Sequence, residues 1–117
     1  MPKPNPRELE ECIRNCHTCA TACLHTVRHC LSMGGEHASP EHQTLLHDCA
    51  EICATAAAFM ARGSSHHGVV CGACAELCAA CADDCERLAE GDQTMTRCAE
   101  ACRRCAESCD KMASAGV

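Results

Sequence analysis

The sequence of 117 residues contains no tryptophan and no tyrosine, and Phe59 is its one aromatic residue. Proteins that read single-stranded nucleic acid stack bases on aromatic rings, so that class is excluded. A surplus of positive charge is missing too. Ten Lys and Arg against sixteen Asp and Glu leave a net charge of −6, which opposes binding to a phosphate backbone. No apolar run approaches the roughly 20 residues that span a bilayer, so no membrane partner is expected. Leu, Ile, Val and Phe together number only fourteen, below the roughly 20% under which chains are usually disordered. The length suits one domain, 1–117, and not two. Whatever holds that domain together is not an ordinary aliphatic core.

What the chain does have is cysteine, sixteen of them, together with twenty alanines. A short cysteine-rich chain is usually either a secreted disulfide scaffold or a metal-binding protein. The N-terminus, MPKPNPRELEEC, has no apolar run behind its basic residue, no twin arginine and no small-residue cleavage site. It is not expected to be a secretory signal. A cytoplasmic location is therefore expected, where thiols stay reduced and metal is favoured over disulfide.

Punctuation divides the chain into four segments. Asn5 stands before Pro6, with Glu8 three residues on, and Ser39 stands before Pro40; an oxygen-bearing cap followed by Pro starts a helix. Gly34-Gly35, Gly63 and Gly91 stop the segments, and Asp92 caps the last. Helices are predicted over 6–33, 40–62, 69–90 and 93–113, with a fraying tail at 114–117. The segments are rich in Ala, Glu, Leu and Arg and free of internal Pro. Short links join antiparallel neighbours, so the expected fold is all-α, an up-down-up-down four-helix bundle.

The cysteines share one register. They stand at Cys12, Cys16, Cys19, Cys23 and Cys30, then at Cys49 and Cys53. The third segment carries Cys71, Cys74, Cys78, Cys81 and Cys85, and the fourth Cys98, Cys102, Cys105 and Cys109. Alternating steps of 3 and 4 trace a single seam along a helix. Met33, Met95 and Met112 lie three residues from Cys30, Cys98 and Cys109 and extend the seams. In the second segment the register runs His42, Leu46, Cys49, Cys53, Ala56, Met60. Sulfur thus occupies the positions where a bundle normally places leucine.

Cysteine as mere filler is a poor reading, because small side chains leave voids that cost stability. A thin lining makes sense if something else occupies the space. Disulfides within a helix are also poor. Residues i and i+4 have Cβ atoms roughly 5–6 Å apart, whereas a disulfide wants roughly 3.5–4.5 Å. Only cross-helix bridges are geometrically open, and a protein built on them needs one or two bridges per helix pair rather than a seam.

A metal held between two sulfurs fits the i,i+4 separation, with metal–thiolate bonds of roughly 2.3 Å. Soft thiolates select Cu(I), Zn(II) or iron–sulfur clusters. Four thiolates around Zn(II) carry about −2, and unpaired buried charge is very costly. Cu(I) neutralises thiolate one for one, and no cationic residue falls on the seams to offset an excess. Many Cu(I) ions are therefore favoured over a few Zn(II). The ferredoxin spacing and the βαβ context of a thioredoxin motif are both absent.

With seams on segments one, three and four and the Cys49–Ile52–Cys53 stretch on segment two, the chain resembles the cysteine-rich copper storage proteins over nearly its whole length. The resemblance implies a cytosolic homotetramer of four-helix bundles, each storing many Cu(I) ions on inward-facing cysteines. That family also has exported members with a twin-arginine signal, which this sequence lacks. The two-cysteine second segment departs from the pattern at its His42 end. Similar proteins have a mouth of His and Met at one end. Here the end that collects the first and third links holds Cys30, His29, Met33, His37, His42 and Met95, and these are the expected entry or accessory ligands. The opposite end holds Cys12, Met60, His66, His67 and Met112. His17, His25 and His47 fall off the seam and are expected at the surface. The pair His66-His67 reads as a place for adventitious metal.

Competing functions are a zinc or heavy-metal buffer, a thiol oxidoreductase and a copper chaperone. An oxidoreductase needs one distinctive thiol with a lowered pKa beside a cation, and no cysteine here stands apart, nor is there a nucleophile–base set. No enzymatic activity is expected. A chaperone needs one exchangeable site rather than sixteen ligands. A second apolar stripe, Ile13, Ala20, Leu24, Val27 and Leu31 with Leu45, Ile52 and Phe59, either seals segments one and two together or packs against another subunit.

Overall fold

The computed structural model describes residues 4–115. They form four helices: α1 (Pro6–Met33), α2 (Pro40–Ala61), α3 (His67–Ala89) and α4 (Gln93–Ala115), with a 3-10 turn at Gly35–Ala38 between the first two. No strand occurs among the described residues. Three of the four helices, α1, α2 and α4, begin where the sequence supplies a side-chain cap. Asn5 Oδ1 accepts from the Glu8 backbone N–H at 2.8 Å while the Glu8 carboxylate accepts from Asn5 N–H at 3.5 Å, a reciprocal capping box. Ser39 Oγ accepts from His42 N–H at 3.2 Å, and Asp92 Oδ1 accepts from Met95 N–H at 3.2 Å.

The stops also fall at glycine. Gly34 and Gly35 have φ of 74° and 57°, a left-handed range that costs a side-chain-free residue little. The α3 helix differs from expectation at both ends. It starts at His67, two residues early, because Ser64 turns the chain back through its carbonyl to His67 N–H at 3.4 Å. It closes at Ala89, with Glu90 itself turned into the left-handed region at φ 42°. The fourth helix continues through Ser114 to Ala115 rather than fraying; residues 116–117 of the expected tail lie outside the described residues.

Each helix packs on two neighbours, α1 and α3 both lying against α2 and α4. The cyclic order and alternating direction give the expected antiparallel bundle, 46 × 21 × 17 Å. A helix of 28 residues accounts for most of that length at about 1.5 Å per residue. The most extensive packing joins α3 to α4. Gly72 of α3 lies against Ala113 of α4, where an added Cβ would come within 3.7 Å of the Ala113 Cβ, and small residues let helices approach closely. Arg103 of α4 reaches across to Asp83 and Glu86 of α3, an exposed clamp of the kind that contributes only about 0–1 kcal/mol.

The buried set is what the register demands. All sixteen cysteines are essentially inaccessible, joined by Leu46, Met60, Leu88, Met95, Met112 and several alanines. Two details depart from the seam as read from sequence. The seven-residue step between Cys23 and Cys30 is filled by Thr26, fully buried with its hydroxyl donated to the Ala22 carbonyl at 2.7 Å. Met33 does not extend the seam inward: it is 52% exposed, because α1 ends there and no partner helix reaches past it. The second stripe splits. Ile13, Ala20, Val27, Leu45 and Ile52 pack half-buried against the core, while Leu24 and Leu31 remain 53% and 58% exposed.

Candidate metal centre

The seams meet on the bundle axis, and no two cysteines are covalently joined. Their sulfurs are close enough to form a continuous file. From Cys98 it runs to Cys23 (3.9 Å), Cys102 (3.9 Å) and Cys19 (3.6 Å). It goes on to Cys49 (3.7 Å), Cys78 (3.6 Å) and Cys53 (3.5 Å). It then passes to Cys105 (3.7 Å), Cys16 (3.6 Å), Cys109 (3.5 Å) and Cys12 (3.7 Å). Cys74 branches from it, 3.7 Å from both Cys53 and Cys78. The interior expected to be thinly filled is thus a column of sulfurs in mutual contact.

Sulfurs also gather across helices in fours. Cys16, Cys74, Cys105 and Cys109 make one such group; Cys19, Cys53, Cys78 and Cys105 a second; Cys19, Cys23, Cys49 and Cys102 a third. Within each group all sulfurs lie within 4.8 Å of one another. Two thiolates sharing one ion through bonds of roughly 2.3 Å are separated by at most about 4.6 Å, so these groups are at bridging distance with little rearrangement. Three i,i+4 pairs come this close: Cys74/Cys78 and Cys105/Cys109 at 3.7 and 3.9 Å, and Cys19/Cys23 within the third group. Cross-helix neighbours, which the sequence does not pair, supply the rest.

The surroundings are uncharged. Among the described residues the buried polar side chains are Thr26 and His42. Burial alone keeps a thiol protonated, and hydrogen bonds among neighbours redistribute that tendency. Cys105 is held down to about 7 by hydrogen bonds to Cys109 and Cys16.

At the end formed by the first and third links, Cys30 is the focus. Its Sγ lies 3.3 Å from His42 Nε2, 3.3 Å from Met95 Sδ and 3.7 Å from His37 Nδ1. Burial pushes the Cys30 thiol up to about 11, helped first by the charge of Asp92 and further on by that of Asp84. His42 Nδ1 lies 2.6 Å from Asp84 Oδ2. A carboxylate accepts, so Nδ1 carries the hydrogen and Nε2 presents its lone pair to Cys30. Asp84 is held in turn by Arg87 at 2.8 Å. Although burial works against it, these hydrogen bonds from His42 and Arg87 lower the Asp84 pKa.

The structure therefore gathers three of the five accessory residues anticipated at this end. His29 turns away to Asp92, with Nε2 to Oδ2 at 2.7 Å, and that bond is the main cause of the lowered Asp92 pKa. Met33 stays outside. Asp84 and Asp92 were not legible as site residues; the one local signal is the i,i+3 pairing of Asp84 with Arg87. His17, His25 and His47 are exposed, as expected.

A file of inward thiols with an imidazole and thioether at one end is a recognisable arrangement, and the family model for copper storage protein matches residues 5–114. The chain belongs to the copper storage protein family. Its fold is shared with the Nmul_A1745 protein of Nitrosospira multiformis, at 45% identity and a TM-score of 0.88, over 94% of this chain and 98% of that one. It is also similar to the Cu(I)-bound copper storage protein BsCsp3, at 35% identity and a TM-score of 0.82, over 91% and 98% of the two chains. A cytosolic copper storage protein of Streptomyces lividans, solved with five coppers, is 31% identical with a TM-score of 0.80, over 92% and 93%. Among the described residues of this copper storage family member, no helix is long and apolar enough to cross a membrane.

Proposed function

We propose that the chain, acting as a single bundle domain, stores many Cu(I) ions on its sixteen cysteines. Copper is cargo here, not a cofactor. Each uptake step exchanges a proton for the ion: the S–H bond breaks, the sulfur pair binds Cu(I), and the proton leaves to solvent. The observation that carries the reading is the continuous file of free, buried sulfurs from Cys98 to Cys12, in a core that holds no Lys or Arg among the described residues to balance surplus thiolate. One Cu(I) per thiolate keeps that core neutral. Entry falls to Cys30, His42, Met95 and His37, of which the two imidazoles and the thioether hold Cu(I) without first losing a proton. His29 and Met33 serve this end indirectly, His29 by fixing Asp92 at the start of α4 and Met33 as an exposed thioether at its rim.

The same observations support a binding protein without catalysis, since no single cysteine is exposed and activated as a redox thiol must be. A cytoplasmic location accords with sixteen reduced thiols. A homotetramer accords with the exposed Leu24 and Leu31 on α1, which a partner subunit would cover. The four-sulfur groups also suit tetrahedral Zn(II), the one rival with a geometric argument. Filling every group with Zn(II) leaves about two negative charges per site uncompensated inside the bundle.

Anaerobic titration with Cu(I) against a chromogenic chelator, with Zn(II) at equal concentration and the product read by elemental analysis, tests the proposal. A plateau well above four copper ions per chain is expected. A plateau at one to four ions, or zinc retained over copper, overturns it.

A further inference from the structure

The end opposite Cys30 carries a histidine to which storage assigns no task. His67 opens α3, one turn before Cys71. Its Nδ1 lies 3.0 Å from the Ser64 carbonyl oxygen. A carbonyl only accepts, so the hydrogen sits on Nδ1 and the Nε2 lone pair is free. That Nε2 is closed off from solvent and has no hydrogen-bond partner in the protein. Burying a bare acceptor is unfavourable, and such an atom calls for an explanation. The neighbouring His66, by contrast, is exposed.

The helical register shows what lies beneath. Cys53 and Cys105 are level, 3.7 Å apart, on the parallel helices α2 and α4. Seven residues further along each helix stand Met60 and Met112, both 2% exposed, roughly 10 Å beyond that level. Cys53 also faces Cys74 and Cys78 of the antiparallel α3. The same advance along α3 arrives between Cys71 and His67. The two thioethers therefore form a layer between the level of the imidazole and that of the fully buried Cys71. The order from outside inward is imidazole, thioethers, thiols.

We propose that His67, Cys71, Met60 and Met112 form a second Cu(I)-binding site at this end of the bundle, a counterpart to Cys30, His42 and Met95. A neutral imidazole and two thioethers with a single thiolate make a donor set that is neutral with one monovalent ion. It is soft enough to exclude Mg(II) and Ca(II), which want oxygen ligands. Cys71 stands one turn before Cys74, which meets the sulfur file at Cys53 and Cys78, so ions bound there exchange with the stored pool. This inference rests on the Cu(I) storage reading.

The test is a histidine long-range 1H–15N correlation on the full 15N-labelled protein, titrated anaerobically with Cu(I) to the chelator-defined plateau. The His67 Nε2 resonance, assigned by its loss in His67→Gln, is expected to move on copper addition while that of His66 stays. In Cys71→Ser, whose folding is checked by helical circular dichroism, the movement is expected to vanish. An unmoved His67 Nε2 at a full plateau overturns this site and leaves storage standing. A plateau of a few ions overturns storage itself. A shift that survives in Cys71→Ser, or that is shared equally by His66, overturns the site as drawn.

Discussion

The Nε2 atom of His42 lies 3.3 Å from the Sγ of Cys30, held there because its other ring nitrogen is bound by Asp84 at 2.6 Å. Loss of a residue that orients a metal ligand typically costs about 10–100-fold in metal affinity. Asp84→Asn is therefore expected to weaken the first copper bound and to slow its uptake by roughly tenfold or more, with His42→Ala at least as severe. Stopped-flow transfer from a coloured Cu(I)–chelator complex checks it; wild-type rates in both variants would remove entry from this end.

Cys53 touches three other cysteines, at 3.7 Å (Cys74), 3.5 Å (Cys78) and 3.7 Å (Cys105). Replacing a shared ligand removes more than its own share. Cys53→Ser is expected to lower the copper plateau by more than one ion per chain. The loss of just one ion, or none, would mean that the sulfurs act singly. A peripheral Cys85→Ser variant provides the comparison.

Thr26 occupies the seam position between Cys23 and Cys30, and is close to cysteine in size. Thr26→Cys is expected to extend the file toward Cys30, speeding passage from the entry end and raising the plateau. Stability of the metal-free protein should change by under about 1.5 kcal/mol, as for other near-isosteric core changes. Chelator competition and denaturant titration read the two effects separately.

Proton linkage gives opposite signs at the two ends of the pH scale. The Cys30 pKa is raised from 9.0 to about 11 by burial and by Asp92. The folded state then holds a proton that the unfolded chain has released. Its stability contribution is whole below pH 9 and is lost as pH climbs toward 11. Asp84 and Asp92 titrate below their ordinary 3.8, so their contribution is present above that pH and is lost as pH falls beneath it. Denaturation of the metal-free protein is expected to show a plateau at neutral pH that falls off on both sides, the alkaline fall shallower in Cys30→Ala.

Copper binds the folded bundle and not a preformed site in the unfolded chain, so loading is expected to raise the melting temperature with each increment of Cu(I). The metal-free protein is expected to show full helical circular dichroism already, because protonated thiols are apolar enough to form a core. A metal-free chain that is unfolded until copper is added would contradict this.

The amino-acid sequence alone determined the secondary structure and the inward face. Local caps at Asn5, Ser39 and Asp92 and breaks at Gly34 and Gly91 act within a few residues, and the 3-4 spacing of cysteines fixes one face per helix whatever that face meets. That is why the bundle and its sulfur lining were legible before any coordinate. The start of α3 was less so, because a Ser64 carbonyl drawing the helix back to His67 leaves no mark in periodicity. What tertiary structure alone decided is who meets whom. The cross-helix sulfur groups, the turning of His29 to Asp92, the exposure of Met33 and the Asp84–His42–Cys30 relay depend on the relative height and rotation of four helices. Those are set by side-chain packing between segments far apart in the chain, and a register read along one helix carries no information about its height against the next.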